Sequence, residues 1–122
     1  MSASLDREQV IIVLKNVLNG SDRLLNALRF CQMQMKEGEN VLIVLDGDSV
    51  FLGHKGRRLQ RGSISMEGLF VDIISKGARV VMPLESIKAR GLSEDELLDG
   101  VEMTGVLDIK EWIEQGRQVL MF

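Results

Sequence analysis

Val41-Leu42-Ile43-Val44-Leu45-Asp46-Gly47-Asp48 decides the architecture of this chain. Five consecutive residues are apolar, and an acidic, glycine-containing turn follows at once. A strand with one face in water alternates apolar and polar residues. A run apolar at every position suits a strand covered on both faces, as in parallel sheets packed between helices. Val10-Ile11-Ile12-Val13-Leu14 is a second such run. Three shorter ones, Val80 to Met82, Val101 to Met103 and Val119 to Phe122, bring the candidate strands to five.

Helical patterns lie between them. Ser21 can cap a helix whose apolar positions Leu24, Leu28, Cys31 and Met35 recur at three- and four-residue spacing, with Gly38 as its stop. A second helix carries Met66, Leu69, Phe70, Ile73 and Ile74 and ends at Gly77. Val80 to Pro83 runs straight into a helical turn closed by Arg90-Gly91. Ser93 caps a short helix through Leu98, with Glu94, Asp95 and Glu96 in the first turn, where the helix dipole favours them. Ile109 to Glu114, around Trp112, is the last helix and stops at Gly116. Strands alternate with helices from end to end. The pattern predicts an α/β fold: a three-layer α/β/α sandwich with a mainly parallel five-stranded sheet and right-handed crossovers. Residues 1–122 read as one domain, with 1–8 flexible. The one long irregular piece, 46–63, has room for a helical turn at Ser49 to Leu52.

Bulk composition narrows the function classes. A chain of 122 residues buries roughly two thirds of its unfolded surface. A net charge of −3 argues against general nucleic-acid binding, which needs a basic face. No apolar run reaches the roughly 18 residues of a membrane span. Met1 to Asp6 lacks the basic start and apolar core of a signal peptide, and one cysteine makes no internal disulfide, so a cytoplasmic protein is expected. Seven methionines against four Phe and one Trp suggest an aliphatic core, continued across a subunit interface.

Candidate chemistry gathers at strand ends. Asp46-Gly47-Asp48 has the carboxylates to hold a divalent cation or accept a phosphoryl group. Asp and Gly are also the commonest residues of a strand-ending turn and helix cap. A phosphoacceptor receiver domain would want a pair of acids after the first strand, and this chain has Lys15-Asn16. Gly53-His54-Lys55-Gly56-Arg57-Arg58 with Arg61 suits either an anion or open solvent, but lacks the Gly-Lys-Ser/Thr ending of a phosphate-binding loop. His54 is the single histidine, which leaves no metal cluster and no Ser/His/Asp constellation. No metal and no cofactor are expected. Cys31 sits on an apolar helix stripe, where a small buried hydrophobe is the commoner state. Glu85, Ser86, Lys88 and Arg90 surround the turn after the third strand, where helix-start amides favour anions, but Lys88 and Arg90 equally suit a solvent-facing turn that ends at Arg90-Gly91. The candidate ligand-binding set is therefore Asp46, Gly47, Asp48, Pro83, Glu85, Ser86 and Arg90, with no catalytic residue unless Cys31 serves.

The joint order of these pieces resembles the DsrE/DsrF-like sulfur-relay family, of the YchN-like fold. The opening strand and helix ending Lys36-Glu37-Gly38 are similar to that family's start. So are Val44 to Val50, Lys88-Ala89-Arg90-Gly91-Leu92, Glu96 to Val101, and the closing helix with its apolar last strand. The resemblance implies a parallel five-stranded sheet and cytoplasmic oligomers, trimers or hexamers. These would be homo-oligomers, or hetero-oligomers with a cysteine-bearing DsrE-like subunit. It also implies sulfur carried as a persulfide on a cysteine just after the third strand. The matching positions here are Pro83 and Ser86, and neither a proline nor a hydroxyl holds a persulfide. The expectation is a non-catalytic, oligomer-forming or ligand-binding member of a sulfur-relay or sulfur-metabolism system, the balance leaning away from an enzyme. Two alternatives stay open: a sulfur carrier or sulfurtransferase using Cys31, and a small-anion or nucleotide-binding module built from Asp46 to Arg61 with Glu85 to Arg90.

Overall fold

The computed structural model describes residues 10–17, 21–54 and 66–122, with the side chains of residues 66 and 67 left aside. The segment expected to be flexible, 1–8, and the basic stretch Lys55 to Arg61 lie outside the described residues. Five strands appear where continuous apolar runs place them: β1 Val10–Lys15, β2 Val41–Asp46, β3 Arg79–Pro83, β4 Val101–Thr104 and β5 Gln118–Met121. Four α-helices alternate with them: α1 Asp22–Lys36, α2 Met66–Ser75, α3 Leu84–Ala89 and α4 Val106–Gln115. A 3-10 segment, Gly47–Gly53, follows β2, and a 3-10 turn, Glu94–Glu96, precedes β4.

The sheet order is β4-β3-β2-β1-β5, and every pairing between these strands is parallel. Residues on a strand point alternately to opposite faces, so each run divides into two cores. Val10, Ile12, Leu14, Ile43, Leu45, Val80 and Met82 pack with α1 and α2 through Leu24, Leu28, Cys31, Phe70 and Ile73. Ile11, Val13, Leu42, Val44 and Val81 pack on the other face with Ile109 and Trp112 of α4. The three layers are thus α1 and α2 with the short α3, which adds Ile87 to the same core, then the sheet, then α4 alone. Full burial of an aliphatic side chain contributes about 1.5–3 kcal/mol, so these runs outweigh any local propensity.

Local signals set the helix ends. Ser21 Oγ accepts a hydrogen bond from the Leu24 N–H at 3.2 Å, and Gly38, with φ +86°, lets the chain turn out of α1. Two expectations need adjusting. The Ser93-capped helix is only the 3-10 turn Glu94–Glu96; Leu97 then bridges His54 in extended form, and the Leu98 N–H donates to the Gly53 carbonyl at 2.8 Å. Both leucines are buried against the main core, which outweighs helix continuation. α4 begins at Val106, three residues before Ile109.

Candidate functional site

Asp46, Gly47, Asp48 and Pro83 lie at the carboxyl ends of β2 and β3, the edge where open parallel sheets place their sites; Glu85 and Ser86 open α3, and Arg90 follows its last turn. Asp46 Oδ1 accepts from the Gly47 N–H at 2.9 Å, so its turn is held by its own side chain. Gly47 has φ +58°, and a Cβ there would collide with Asn16 Oδ1. Asn16 itself has φ +52°, and its Oδ1 accepts from the Asp48 N–H at 2.8 Å. The Ser49 hydroxyl, fully buried, accepts from the Val17 N–H at 2.7 Å. Thus the turns after β1 and β2 are one hydrogen-bonded unit.

That unit is tied to α3. Arg90 Nε donates to Asp48 Oδ1 at 2.9 Å, and Arg90 Nη1 to the Ser86 carbonyl at 3.1 Å. Glu85 reaches the other way and accepts the Val106 N–H at 3.1 Å, at the start of α4. Pro83 is buried, closes β3 and opens α3, its fixed φ of −64° matching that role.

A cleft of about 330 Å³ lies between α4 and this edge. Val13, Val44 and Pro83 form its sheet side, and Val106 and Ile113 its helix side. Its charged groups are Asp46, Lys110 and Glu114. Of the seven residues, then, Asp46 and Pro83 line the cleft, and Glu85 braces its mouth. Beside it, Arg90 is bound to the Asp48 carboxylate and to the Ser86 carbonyl. The charge balance around the cleft is two carboxylates to one ammonium, and Arg90 is already engaged by Asp48. That arrangement favours an apolar or cationic group over a small anion. Asn16, Val106, Lys110 and Glu114 were not foreseen. An Asn directly after a strand is a signal for a left-handed turn, whereas the cleft's helix side has no local signature.

Residues 8–122 match the DsrE/DsrF-like family. The chain belongs to that family. Among relatives of this DsrE-like protein, an uncharacterised protein of Methanopyrus kandleri is 35% identical over 113 residues, covering 93% of each chain. The YchN protein of Escherichia coli K12 is 25% identical over 118 residues, covering 94% of this chain and 99% of its own. The crystal structure of YchN from E. coli superposes with a TM-score of 0.81 at 24% identity, covering 94% of this chain and 99% of that one. A protein of unknown function from Methanobacterium thermoautotrophicum superposes with a TM-score of 0.74 at 19% identity, covering 96% and 100%.

The cysteine of this DsrE-like chain is poorly placed for nucleophilic work. Cys31 is 0% exposed, inside the α1–α2 core and across the sheet from the cleft, with Sγ 3.8 Å from Met35 Sδ. Burial pushes its thiol up to about 12. A thiolate is the reactive form, and almost none exists there at neutral pH. Among the described residues no group of three His, Cys, Asp or Glu could hold a metal ion. No helix of the described residues is long and apolar enough to cross a membrane. His54 is buried, with Nε2 3.7 Å from Glu96 Oε2, and serves the junction of two 3-10 segments.

Proposed function

We propose that this DsrE-like protein is a cytoplasmic, non-catalytic subunit of a sulfur-relay or sulfur-metabolism system. It acts by forming oligomers, or by binding a ligand at the carboxyl edge of its sheet, not by carrying sulfur. One observation supports this most: the β3–α3 junction offers Pro83 and the Ser86 hydroxyl but no thiol, while the single cysteine is buried with its thiol pushed up to about 12. Persulfide formation needs a thiolate that a donor can reach, and neither place supplies one. Such a chain contributes surface and cleft, and a cysteine-bearing DsrE-like subunit supplies the sulfur carrier. Asp46, Pro83 and Glu85 then shape the cleft, and Asp48, Ser86 and Arg90 keep the adjoining turns rigid.

The test is to mix the purified protein with a persulfide-loaded, cysteine-bearing DsrE-like subunit and record native mass spectra. The expected result is a complex whose extra sulfur stays on the cysteine-bearing subunit. Sulfur recovered on this chain contradicts the proposal. So does a chain that stays monomeric at micromolar concentration and binds no partner in native extract.

A further inference from the structure

A second groove lies across the sheet from α4, between α1 and α2, with a volume of about 690 Å³. Ligand sites commonly measure about 300–1,000 Å³. Its floor is apolar: Ile73 is fully buried, and Met35 is half-buried against the main core. Met33, 54% exposed, stands at its wall. Methionine side chains are flexible and polarisable, so they adapt to an apolar chain of varied shape. Arg29, Gln32, Met33 and Lys36 recur at i, i+3, i+4 and i+7, which sets all four on one stripe of α1. Lys76 stands on the other side, just past the last residue of α2.

The rim carries three cations, and no carboxylate lines the groove among the described residues. Two of the three also have a structural role. Lys36 and Lys76 meet the carbonyl ends of α1 and α2, each equivalent to about half a negative charge, and Lys76 Nζ lies 3.0 Å from Asp72 Oδ2. Arg29 sits about two turns before the end of α1, away from those carbonyls. Neither it nor Lys36 takes part in an ion pair among the described residues. The groove thus keeps a positive surplus above an apolar floor, and its complement is a molecule with an apolar body and an anionic head. The stripe from Arg29 to Lys36 spans about 10 Å along the helix. A partner helix would need an apolar seam of at least that length, and Met33 is the one apolar residue of the stripe. A small ligand that drops its apolar end between the helices fits better than a surface laid across them.

We propose that the α1–α2 groove binds a small amphiphilic anion, an apolar chain headed by a carboxylate, sulfonate or phosphate. The chain lies over Ile73, Met33 and Met35. The head meets Arg29, whose planar fork of donors suits such oxyanions, with Lys36 beside it. The site shares no residue with the cleft under α4. It goes beyond the ligand-binding role proposed above, and neither stands or falls with the other.

Isothermal titration calorimetry of the purified full chain tests this, with decanoate, acetate, decyltrimethylammonium and an acidic amphipathic peptide as probes, the chain-bearing ones below their micelle concentrations. Wild type is compared with Arg29→Glu, Lys36→Gln and Lys110→Glu, all at exposed positions, and thermal melts establish that each variant is folded. NMR spectra of methyl-labelled methionines locate the ligand. The expected result is that decanoate binds and the other probes do not, with the Met33 and Met35 signals shifting while that of Met121 stays in place. Arg29→Glu and Lys36→Gln both weaken binding, the first about tenfold or more, and Lys110→Glu leaves it unchanged. The site is overturned by a chain that ignores decanoate, by acetate or decyltrimethylammonium binding as well as decanoate does, or by an affinity untouched in Arg29→Glu. Loss of binding in Lys110→Glu overturns it too and moves the ligand to the cleft. A peptide that shifts Met33 where decanoate does not assigns the groove to a protein partner instead. Sulfur found on this chain overturns the proposed function and leaves this site standing.

Discussion

Glu85 caps a helix that starts 21 residues after it: its Oε1 accepts the Val106 N–H at 3.1 Å. The residue before α4 is Gly105, which has no side chain to do this. The first helical turn therefore depends on a carboxylate from α3, which also meets the positive end of the helix dipole. Glu85→Ala should cost about 1 kcal/mol, the ordinary value of a lost cap. Hydrogen exchange at the first turn of α4 should rise while exchange in β1 and β2 stays slow. Equal protection of α4 in both proteins would contradict this role.

Gly47 tests the joined turns after β1 and β2. Its φ of +58° disfavours any L side chain, and a Cβ would meet Asn16 Oδ1. The left-handed conformation alone costs about 1–2 kcal/mol for alanine. With the collision added, Gly47→Ala should lower stability by more than about 2 kcal/mol in chemical denaturation. In an Asn16→Gly background the obstructing side chain is gone, and the same substitution should cost only about 1 kcal/mol. Strict additivity of the two changes would contradict a direct contact.

These two residues also show what a sequence can and cannot reveal. All five strands were legible, because a run such as Val41 to Leu45 is apolar on both faces and only a covered strand tolerates that. α1 was legible from Ser21 to Gly38, because both its ends are set by local chemistry. The first turn of α4 was not, because its cap arrives from Glu85 through tertiary structure. Leu97 and Leu98 read locally as helix, because burial against a distant core leaves no local mark. The gathering of Asp46, Pro83 and Glu85 at one edge followed from parallel topology. Which of them lines the cleft depended on where α4 lands, and no spacing encodes that.

Arg79 clamps α4 to the sheet. Its bidentate bond to Glu102 raises the guanidinium pKa, burial works against that, and Trp112 stacks against its face. Both charged partners are partly solvated, so solvent screens the pair. Arg79→Ala should cost about 1–2 kcal/mol in urea denaturation, pair and ring contact together. Arg79→Lys should recover less than half, because an ammonium keeps charge but loses the planar fork. Full recovery by lysine would show that charge alone matters there.

Cys31 gives the protein a stability decline at alkaline pH. Folding raises its pKa from 9.0 to about 12, because burial disfavours the thiolate. The unfolded chain therefore releases its proton first. The stability associated with a neutral thiol is complete below pH 9.0 and is lost progressively as pH rises toward 12. Denaturation series between pH 8 and pH 11, run on wild type and Cys31→Ala, isolate the effect. The stability difference between the two should shift against wild type as pH rises. A constant difference would mean that the thiol titrates normally.

The most direct test of the whole account is the intact mass of the folded protein after exposure to a persulfide donor at neutral pH, with and without a thiol-blocking pretreatment. The account predicts no gain of sulfur in either sample, because Pro83 offers no nucleophile and Cys31 is shut in the α1–α2 core. Gain of one sulfur atom, lost on blocking, would contradict it and make Cys31 a carrier.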